Sequence, residues 1–520
     1  MNFRSLLLAL LCAIQSDSVL FAEQEDQTLP RGYREVGEDK AEAIKELCVA
    51  TANTGLFSGA VLVAEKGEVL YQGAFGLANR EWEIPNTVDT KFRLASVSKQ
   101  FCAVLILQLA QEGRIGLDDV ITDHLPWYRA DTGDRITIHH LLSHQSGIKD
   151  YTASYDYRST ISRLPFQKDE FIKIYCSDDL IHEPGTLYAY CNAGYSILGR
   201  IIEKVTRKSF ETNLQERIFT PLRMNESGYD RNSKILEKRA SGYTRGIFEY
   251  TNADYLDMDS SPGAAGALYS TIGDMFRWDR ALYTDLLLNE KYRRLMFTPN
   301  RDVPEVKAAG GRPQSRYGYG WQIYTTTHPV TKRRTKVVNH GGAISGFRAM
   351  EHRLVEEDAF VILLCNQGDD FGKSDVWNAV TRLGRELIHL VTDQPYRLPG
   401  APPVSQELRI YQIVQEQDVD AAIAWFKDNG KPSAWGGSTI AVSEKLLEEG
   451  KVEAGLQLMD FEVEQSPGKV WILRKATETF LRYGEPEKAM RVAQLALERK
   501  PEDERLLGLL NDAKEDLKRK

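Results

Sequence analysis

The stretch Phe92-Arg93-Leu94-Ala95-Ser96-Val97-Ser98-Lys99-Gln100-Phe101 runs straight into Cys102-Ala103-Val104-Leu105-Ile106-Leu107-Gln108-Leu109. A helix that is apolar on nearly every side is a buried one, so this run predicts a core helix with its entrance at Ser96 and its stop at Gly113. Ser96 and Lys99 stand three apart and share a face at that entrance. A serine hydroxyl becomes a nucleophile when a neighbouring base takes its proton, and a lysine serves once burial lowers its pKa. The helix N-terminus adds a positive dipole end where an oxyanion develops. Ser96 is therefore the candidate acyl-accepting nucleophile. The same spacing recurs at Ser146-Gly147-Ile148-Lys149, but with an internal glycine and no apolar run behind it, which reads as a loop.

Outward from this helix, Phe57–Ala64 reads as a strand, Glu65–Glu68 as a turn and Val69–Phe75 as the returning strand of a hairpin. Residues 114 to 310 are mixed loops and short helices. One of these helices, near Tyr195 to Val205, carries Ile197, Leu198, Ile201, Ile202 and Val205 on one face. Strand character returns at Tyr319–Tyr324, Thr335–Val338, Phe347–Glu351 and Ala359–Leu364, an antiparallel meander closed by a helix near 372 to 392. The expected class is α+β: one mostly antiparallel sheet with strands from both ends of the region, flanked by helices, and an all-helical lobe beside it.

At Leu398-Pro399-Gly400-Ala401-Pro402-Pro403 the composition changes, and everything beyond reads helical. Gly450 and Gly484 stand 34 apart, as do Pro467 and Pro501. A helix-turn-helix period of that length resembles tetratricopeptide repeats; a generic helical bundle is the alternative. The expected boundaries are a signal peptide at 1–22, a linker at 23–40, a catalytic domain at 41–395, a second linker at 396–405 and the helical domain at 406–520.

The signal reading rests on Arg4, the apolar Leu6–Ile14 and Val19-Leu20-Phe21-Ala22 before acidic residues; an uncleaved interfacial anchor is the alternative. The run is too short to span a bilayer, so the mature chain is expected to be exported, periplasmic or secreted, with no transmembrane segment. A chain of 520 residues with 42% hydrophobic and 27% charged residues is ordinary globular material for two or three domains, and a net charge of -8 offers no footprint for nucleic acid. Five cysteines follow the signal, Cys48, Cys102, Cys176, Cys191 and Cys365; an odd number without a C-x-x-C spacing reads as buried free thiols.

Two further elements carry chemistry. Tyr190-Cys191-Asn192 offers a phenol to relay protons, once neighbouring cations lower its pKa, and an amide to hold a substrate carbonyl or amide. A second Tyr-x-Asn, at Tyr250-Thr251-Asn252, makes the motif weak alone. Asn339-His340-Gly341-Gly342-Ala343 places paired glycines at a strand edge, where a ligand approaches closely and the Ala343 N–H helps bind an oxyanion.

Ser96-Val97-Ser98-Lys99, Tyr190-Cys191-Asn192 and His340-Gly341-Gly342, in this order, resemble the three motifs of the serine β-lactamase and penicillin-binding-protein superfamily, closest to its class C β-lactamase-like branch. The intervening ITIHHLLSHQSG (136–147), PGTLYAYCNAGYSILG (184–199), AGALYSTIGDMFRW (265–278) and Tyr317-Gly318-Tyr319-Gly320-Trp321 also look like it, over roughly residues 45 to 392. The resemblance implies Ser96 as nucleophile, Lys99 and Tyr190 sharing the general-base role, and His340 standing where many relatives carry a lysine. It implies Asn192, Gly341, Gly342 and Ala343 against substrate, with the N–H groups of Ser96 and Ala343 as the oxyanion hole. The implied fold is β-lactamase/transpeptidase-like, with the site between sheet and helical lobe.

Histidine for lysine removes a permanent cation that would bind the carboxylate of a β-lactam, which ranks a D-amino-acid peptidase, carboxypeptidase or esterase above an antibiotic hydrolase. His140 and His144 imitate a zinc pair but lack the glutamate of H-E-x-x-H, and neither a metal nor an organic cofactor is expected. The expected partners are a small-molecule or peptide substrate and a protein for the helical repeats. A binding or sensing protein, acylated without turnover, is the competing reading.

Overall fold

The computed structural model describes residues 29–258, 263–299, 316–369, 375–402, 404–430, 437 and 439–519. The expected signal peptide and the start of the first linker lie outside these residues. Seven strands form the central sheet: β1 (Gly59–Glu65), β2 (Glu68–Phe75), β3 (Arg316–Tyr317), β4 (Gln322–Thr327), β5 (Arg334–Ile344), β6 (Phe347–Leu354) and β7 (Ala359–Cys365). They lie in the order β3-β4-β5-β6-β7-β1-β2, with every neighbouring pair antiparallel. The N-terminal hairpin therefore joins the C-terminal meander through β1 and β7, as the residue pattern predicts. Its turn places Lys66 at φ 53° and Gly67 at φ 79°. Positive φ at both central positions belongs to the turn whose twist suits a two-residue hairpin.

Why β1 and β7 read as continuous apolar runs is visible in the packing. Ala60, Leu62 and Ala64 of β1, with Phe360, Ile362 and Leu364 of β7, enter one core, while Val61, Val63, Val361 and Leu363 enter another. Helices cover both faces, so alternation of polar and apolar residues has no role. Of these, α1 (Lys40–Asn53) lies on the second face, and α2 (Ser98–Gln111) is sunk in the first. Every residue of α2 from Ser98 to Leu107 is buried, and Phe101 stacks on Trp278 at 4.1 Å between centroids. Three more of this unit's helices are α3 (Asn192–Thr206), α4 (Ile272–Ala281) and α5 (Asp375–Val391), with α5 beside α1 on the second face.

Short strands that the residue pattern does not signal stitch the helical region to the sheet region: Phe92–Arg93 pairs Leu268–Ser270, and Tyr243–Arg245 pairs Gln367–Asp369. Two- and three-residue strands carry too little periodicity to be read. Within the expected first linker, Tyr33–Arg34 pairs Tyr396–Arg397, and the Arg397 guanidinium lies 3.8 Å from the Tyr33 ring centroid. The two ends of the unit are thus tied together.

Beyond it come α6 (Gln406–Glu416), α7 (Val419–Asn429), α8 (Ile440–Glu448), α9 (Val452–Gln465), α10 (Val470–Arg482), α11 (Pro486–Leu497) and α12 (Glu504–Arg519). Gly450 at φ 78° and Gly484 at φ 75° follow the ends of α8 and α10, the left-handed position that glycine takes at a helix C-terminus. The glycine period is thus a period of helix ends. This array touches the first unit where Phe248 meets Tyr411 at 4.8 Å between ring centroids. Among the described residues no helix is long and apolar enough to cross a membrane.

Candidate active site

The α-helix begins at Ser98, two residues later than the motif suggests; Ser96 sits in the 3₁₀ turn Ala95–Val97 that feeds it. Ala95 adopts φ 49°, a conformation that costs a non-glycine residue about 1 kcal/mol or more and that turns the chain up to present Ser96. Ser96 is partly exposed, whereas Lys99, one turn further in, is completely buried. The Lys99 Nζ lies 3.1 Å from Ser96 Oγ, 2.8 Å from Asn192 Oδ1 and 2.8 Å from the Ala265 carbonyl. Burial lowers the Lys99 pKa to about 7, with the Asp150 carboxylate pulling the other way.

The next residue, Gln100, locks the helix in place. Its Nε2 donates to Glu351 Oε2 at 2.7 Å, and its Oε1 accepts from Trp278 Nε1 at 2.8 Å. Glu351 pairs with His340 across the β5–β6 ladder, so one side chain ties the Lys99 helix to the His340 strand. Burial pushes the Glu351 carboxyl up to about 8. Gly320, at φ 82°, lets its loop lie on the start of α2; a Cβ there would meet the Gln100 Cα at 2.9 Å.

Tyr190 stands on the other side of Lys99, whose Nζ is 5.0 Å from the phenol ring centroid. Its pKa moves opposite to the expectation: burial drives it up, and only the Ser96 hydroxyl draws it back. The cation expected to lower it is a lysine that burial itself tends to neutralise. Asn192 opens α3 with its side chain fully engaged. Its Nδ2 donates to Asp150 Oδ2 and Thr152 Oγ1, both at 3.2 Å, and a carboxylate only accepts, so Oδ1 must face Lys99. The second Tyr-x-Asn lies in a strand paired with Tyr243–Arg245, and Ser146–Lys149 is a loop.

The third element is part of β5 rather than its edge residue. Strand β4 pairs with β5 only as far as Asn339, so from His340 to Ile344 that side of β5 is open toward the Ser96 turn. Gly342 makes the approach: a Cβ there would lie 2.1 Å from the Leu94 carbonyl oxygen. Ala343 follows, exposed, beside Ser96's turn. Gly342→Ala is expected to push β5 off this turn, lowering kcat/KM by roughly 10²-fold, as an ångström of misplacement does, and destabilising the fold by about 1–3 kcal/mol because the clash is with buried backbone. A variant as active as the parent would show that the close approach is dispensable.

His340 is buried and neutral. Its pKa falls to about 3 through burial and the nearby Lys99. Its Nδ1 bonds the Gly341 carbonyl at 2.7 Å, which fixes Nε2 as acceptor from the Tyr317 hydroxyl at 2.9 Å. His140 and His144 do not share a helix face, because the helix ends at Leu142 and His144 lies beyond it at φ 58°. His140 Nδ1 accepts from the Thr137 N–H and His144 Nδ1 from the Cys191 N–H. Among the described residues, no three His, Cys, Asp or Glu side chains cluster to hold a metal. Cys48, Cys102, Cys176, Cys191 and Cys365 are free and buried.

The residue pattern leaves Asp150, Tyr317, Gln100 and Glu351 out of the site. Tyr317 stands in a stretch singled out for its likeness alone. For the other three no spacing signals a partner 40 to 250 residues away.

The beta-lactamase family model matches residues 44–384. Penicillin-binding protein 4* of Bacillus subtilis (strain 168) is 29% identical over 360 residues, which cover 66% of this chain and 75% of that protein. The crystal structure of a penicillin binding protein from Bacillus halodurans superposes with a TM-score of 0.55 at 26% identity, over 65% of this chain and 98% of that one. D-amino acid amidase from Ochrobactrum anthropi SV3, complexed with L-phenylalanine amide, gives 0.56 at 26% identity, over 67% and 98%. With a match over more than half its length, on the sheet and helices that carry Ser96, Lys99, Tyr190, Asn192 and His340, the chain belongs to the beta-lactamase family and is a serine hydrolase.

Proposed function

We propose that the chain is an exported hydrolase that attacks amide or ester carbonyls with Ser96 and passes through an acyl-enzyme. The observation that carries this reading is the hydrogen-bond count at Lys99. A neutral amine has two N–H groups and one lone pair. Asn192 Oδ1 and the Ala265 carbonyl only accept, at 2.8 Å each, and they use both N–H groups. The lone pair then faces Ser96 Oγ at 3.1 Å, so the hydroxyl donates to the amine and Lys99 takes its proton as attack proceeds. Tyr190, a neutral phenol beside both groups, passes that proton to the leaving group, and water repeats the sequence in reverse to release the acyl group. The Ser96 and Ala343 N–H groups receive the oxyanion, Gly341 and Gly342 keep the strand edge clear, and Asn192 orients substrate through the Lys99 contact it already makes.

His340 holds no charge at neutral pH, and this supports a D-amino-acid peptidase, carboxypeptidase or esterase over a β-lactamase. The likeness to a D-amino acid amidase supports amides among the substrates. The proposed organisation keeps a signal peptide at 1–22, a linker at 23–40, the hydrolase at 41–395, a linker at 396–405 and tetratricopeptide-like repeats at 406–520, with a periplasmic or secreted location. The array beyond the family match favours one second reading, a sensor acylated without turnover whose helical tail recruits a protein.

A fluorophosphonate probe together with p-nitrophenyl esters and D-amino-acid amides separates the two. Labelling with turnover is the expected result; labelling without turnover supports the sensor, and no labelling at all removes the nucleophile assignment.

A further inference from the structure

His144 grips the chain on both sides of Tyr190. Its carbonyl accepts from the Ala189 N–H at 2.9 Å, and its ring Nδ1 accepts from the Cys191 N–H at 3.1 Å. Ala189 and Cys191 flank Tyr190, so a single residue fixes the backbone before and after the phenol. The bonds continue upstream, where the Ile181 N–H reaches the Gly147 carbonyl at 2.8 Å and the Gly185 N–H reaches the Gln145 carbonyl at 2.9 Å. The buried His144 ring also packs on Tyr190 itself, at 4.2 Å between centroids, with Tyr317 at 4.6 Å and Tyr195 at 5.2 Å.

Two unfavourable features accompany this grip. His144 lies two residues beyond the short helix Ile138–Leu142 and adopts φ 58°, a left-handed conformation uncommon outside glycine, though histidine and asparagine take it more readily than most. Burial, with Lys99 next, holds the ring well below the ordinary histidine pKa, so the imidazole is neutral. Because Nδ1 accepts, the ring proton sits on Nε2, and that buried N–H meets no acceptor among the described residues. A left-handed backbone and an unmet buried donor persist only where the surroundings over-determine them, and both cluster at functional sites.

Resting on Tyr190 as the group that protonates the departing atom, we infer that His144 is the positioning residue of the Tyr190 hydroxyl. It sets where the phenol stands against Lys99 and Ser96, and it touches no substrate. Proton transfer needs a heavy-atom separation of roughly 2.6–3.2 Å, so a small slide of the 189–191 backbone takes the hydroxyl out of reach.

A plain anchor of this loop would slow every substrate alike. A residue that aims a proton donor slows each substrate according to its leaving group's need for the proton. p-Nitrophenolate departs as a stable anion, whereas ethoxide must be protonated as it leaves. The full chain is therefore assayed with p-nitrophenyl butyrate and ethyl butyrate, reading kcat/KM for the parent, Tyr190→Phe, His144→Ala and His144→Asn. Both esters sample the same folded fraction, so their ratio is insensitive to partial unfolding of a variant. His144→Ala removes the acceptor and is expected to lose about 10²-fold on the ethyl ester but less than about 10-fold on the p-nitrophenyl ester, the pattern also expected of Tyr190→Phe. His144→Asn keeps an acceptor and tolerates the left-handed backbone, and is expected to recover about 10-fold or more of the ethyl-ester loss. Equal losses on the two esters in His144→Ala while Tyr190→Phe discriminates between them, or an asparagine variant no better than alanine, would overturn the inference. Equal losses in Tyr190→Phe strike the proton-donor role of Tyr190 itself and the inference with it, so the two failures are told apart.

Discussion

Ser96→Ala is expected to lower kcat/KM on any substrate the protein turns over by about 10⁴-fold or more, and to abolish fluorophosphonate labelling. Removing the nucleophile of a serine hydrolase leaves only the catalysis that binding and oxyanion stabilisation supply on their own. Little else should change. The lost hydroxyl makes a single hydrogen bond to Lys99, and a net bond of that kind is worth about 1 kcal/mol. In a unit of this size that moves the unfolding temperature by only about 2–4 °C. Retained turnover with an unchanged fold would mean that another residue attacks. Calorimetry beside the kinetics separates that result from simple unfolding.

Lys99 is expected to impose the pH dependence. As a buried lysine its pKa falls from 10.5 to about 7, so the amine is protonated in acid and becomes a base as pH rises. The kcat/KM profile should therefore climb with unit slope below pH 7 and level off above it. Burial neutralises His340 throughout this range, so it adds no limb there. Lys99→Arg keeps a permanent cation that cannot accept a proton, and Lys99→Met keeps the volume without the amine. Both are expected to lose about 10³-fold or more and to lose the limb near pH 7, while still folding by circular dichroism. A limb that survives in Lys99→Met would transfer the base role elsewhere, with Glu351, held up to about 8, as the next group to examine.

Much of this was legible in one dimension, and for a physical reason. A buried helix and strands covered on both faces need nothing but apolar side chains, so α2, β1 and β7 announce themselves by composition. The 34-residue spacing of Gly450 and Gly484 likewise reflects a purely local need, a left-handed residue at each helix end. The motif residues Ser96, Lys99, Tyr190, Asn192 and His340 were all named from the chain, and the tertiary structure brings them together. What sequence left unread are electrostatic relations. The expectation that a cation lowers the Tyr190 pKa fails because burial acts on phenol and amine at once, raising one and lowering the other.

The order of residues by itself determined the fold class, the helical tail and the serine proposed as nucleophile, because periodicity and short motifs act over a few positions. Only the tertiary structure showed that Lys99 is a buried amine beside Ser96 Oγ, which end of the Asn192 amide faces it, and that burial holds His340 neutral. Those properties depend on desolvation and on distances of about 3 Å between segments far apart in the chain, and neither is written in the spacing of residues.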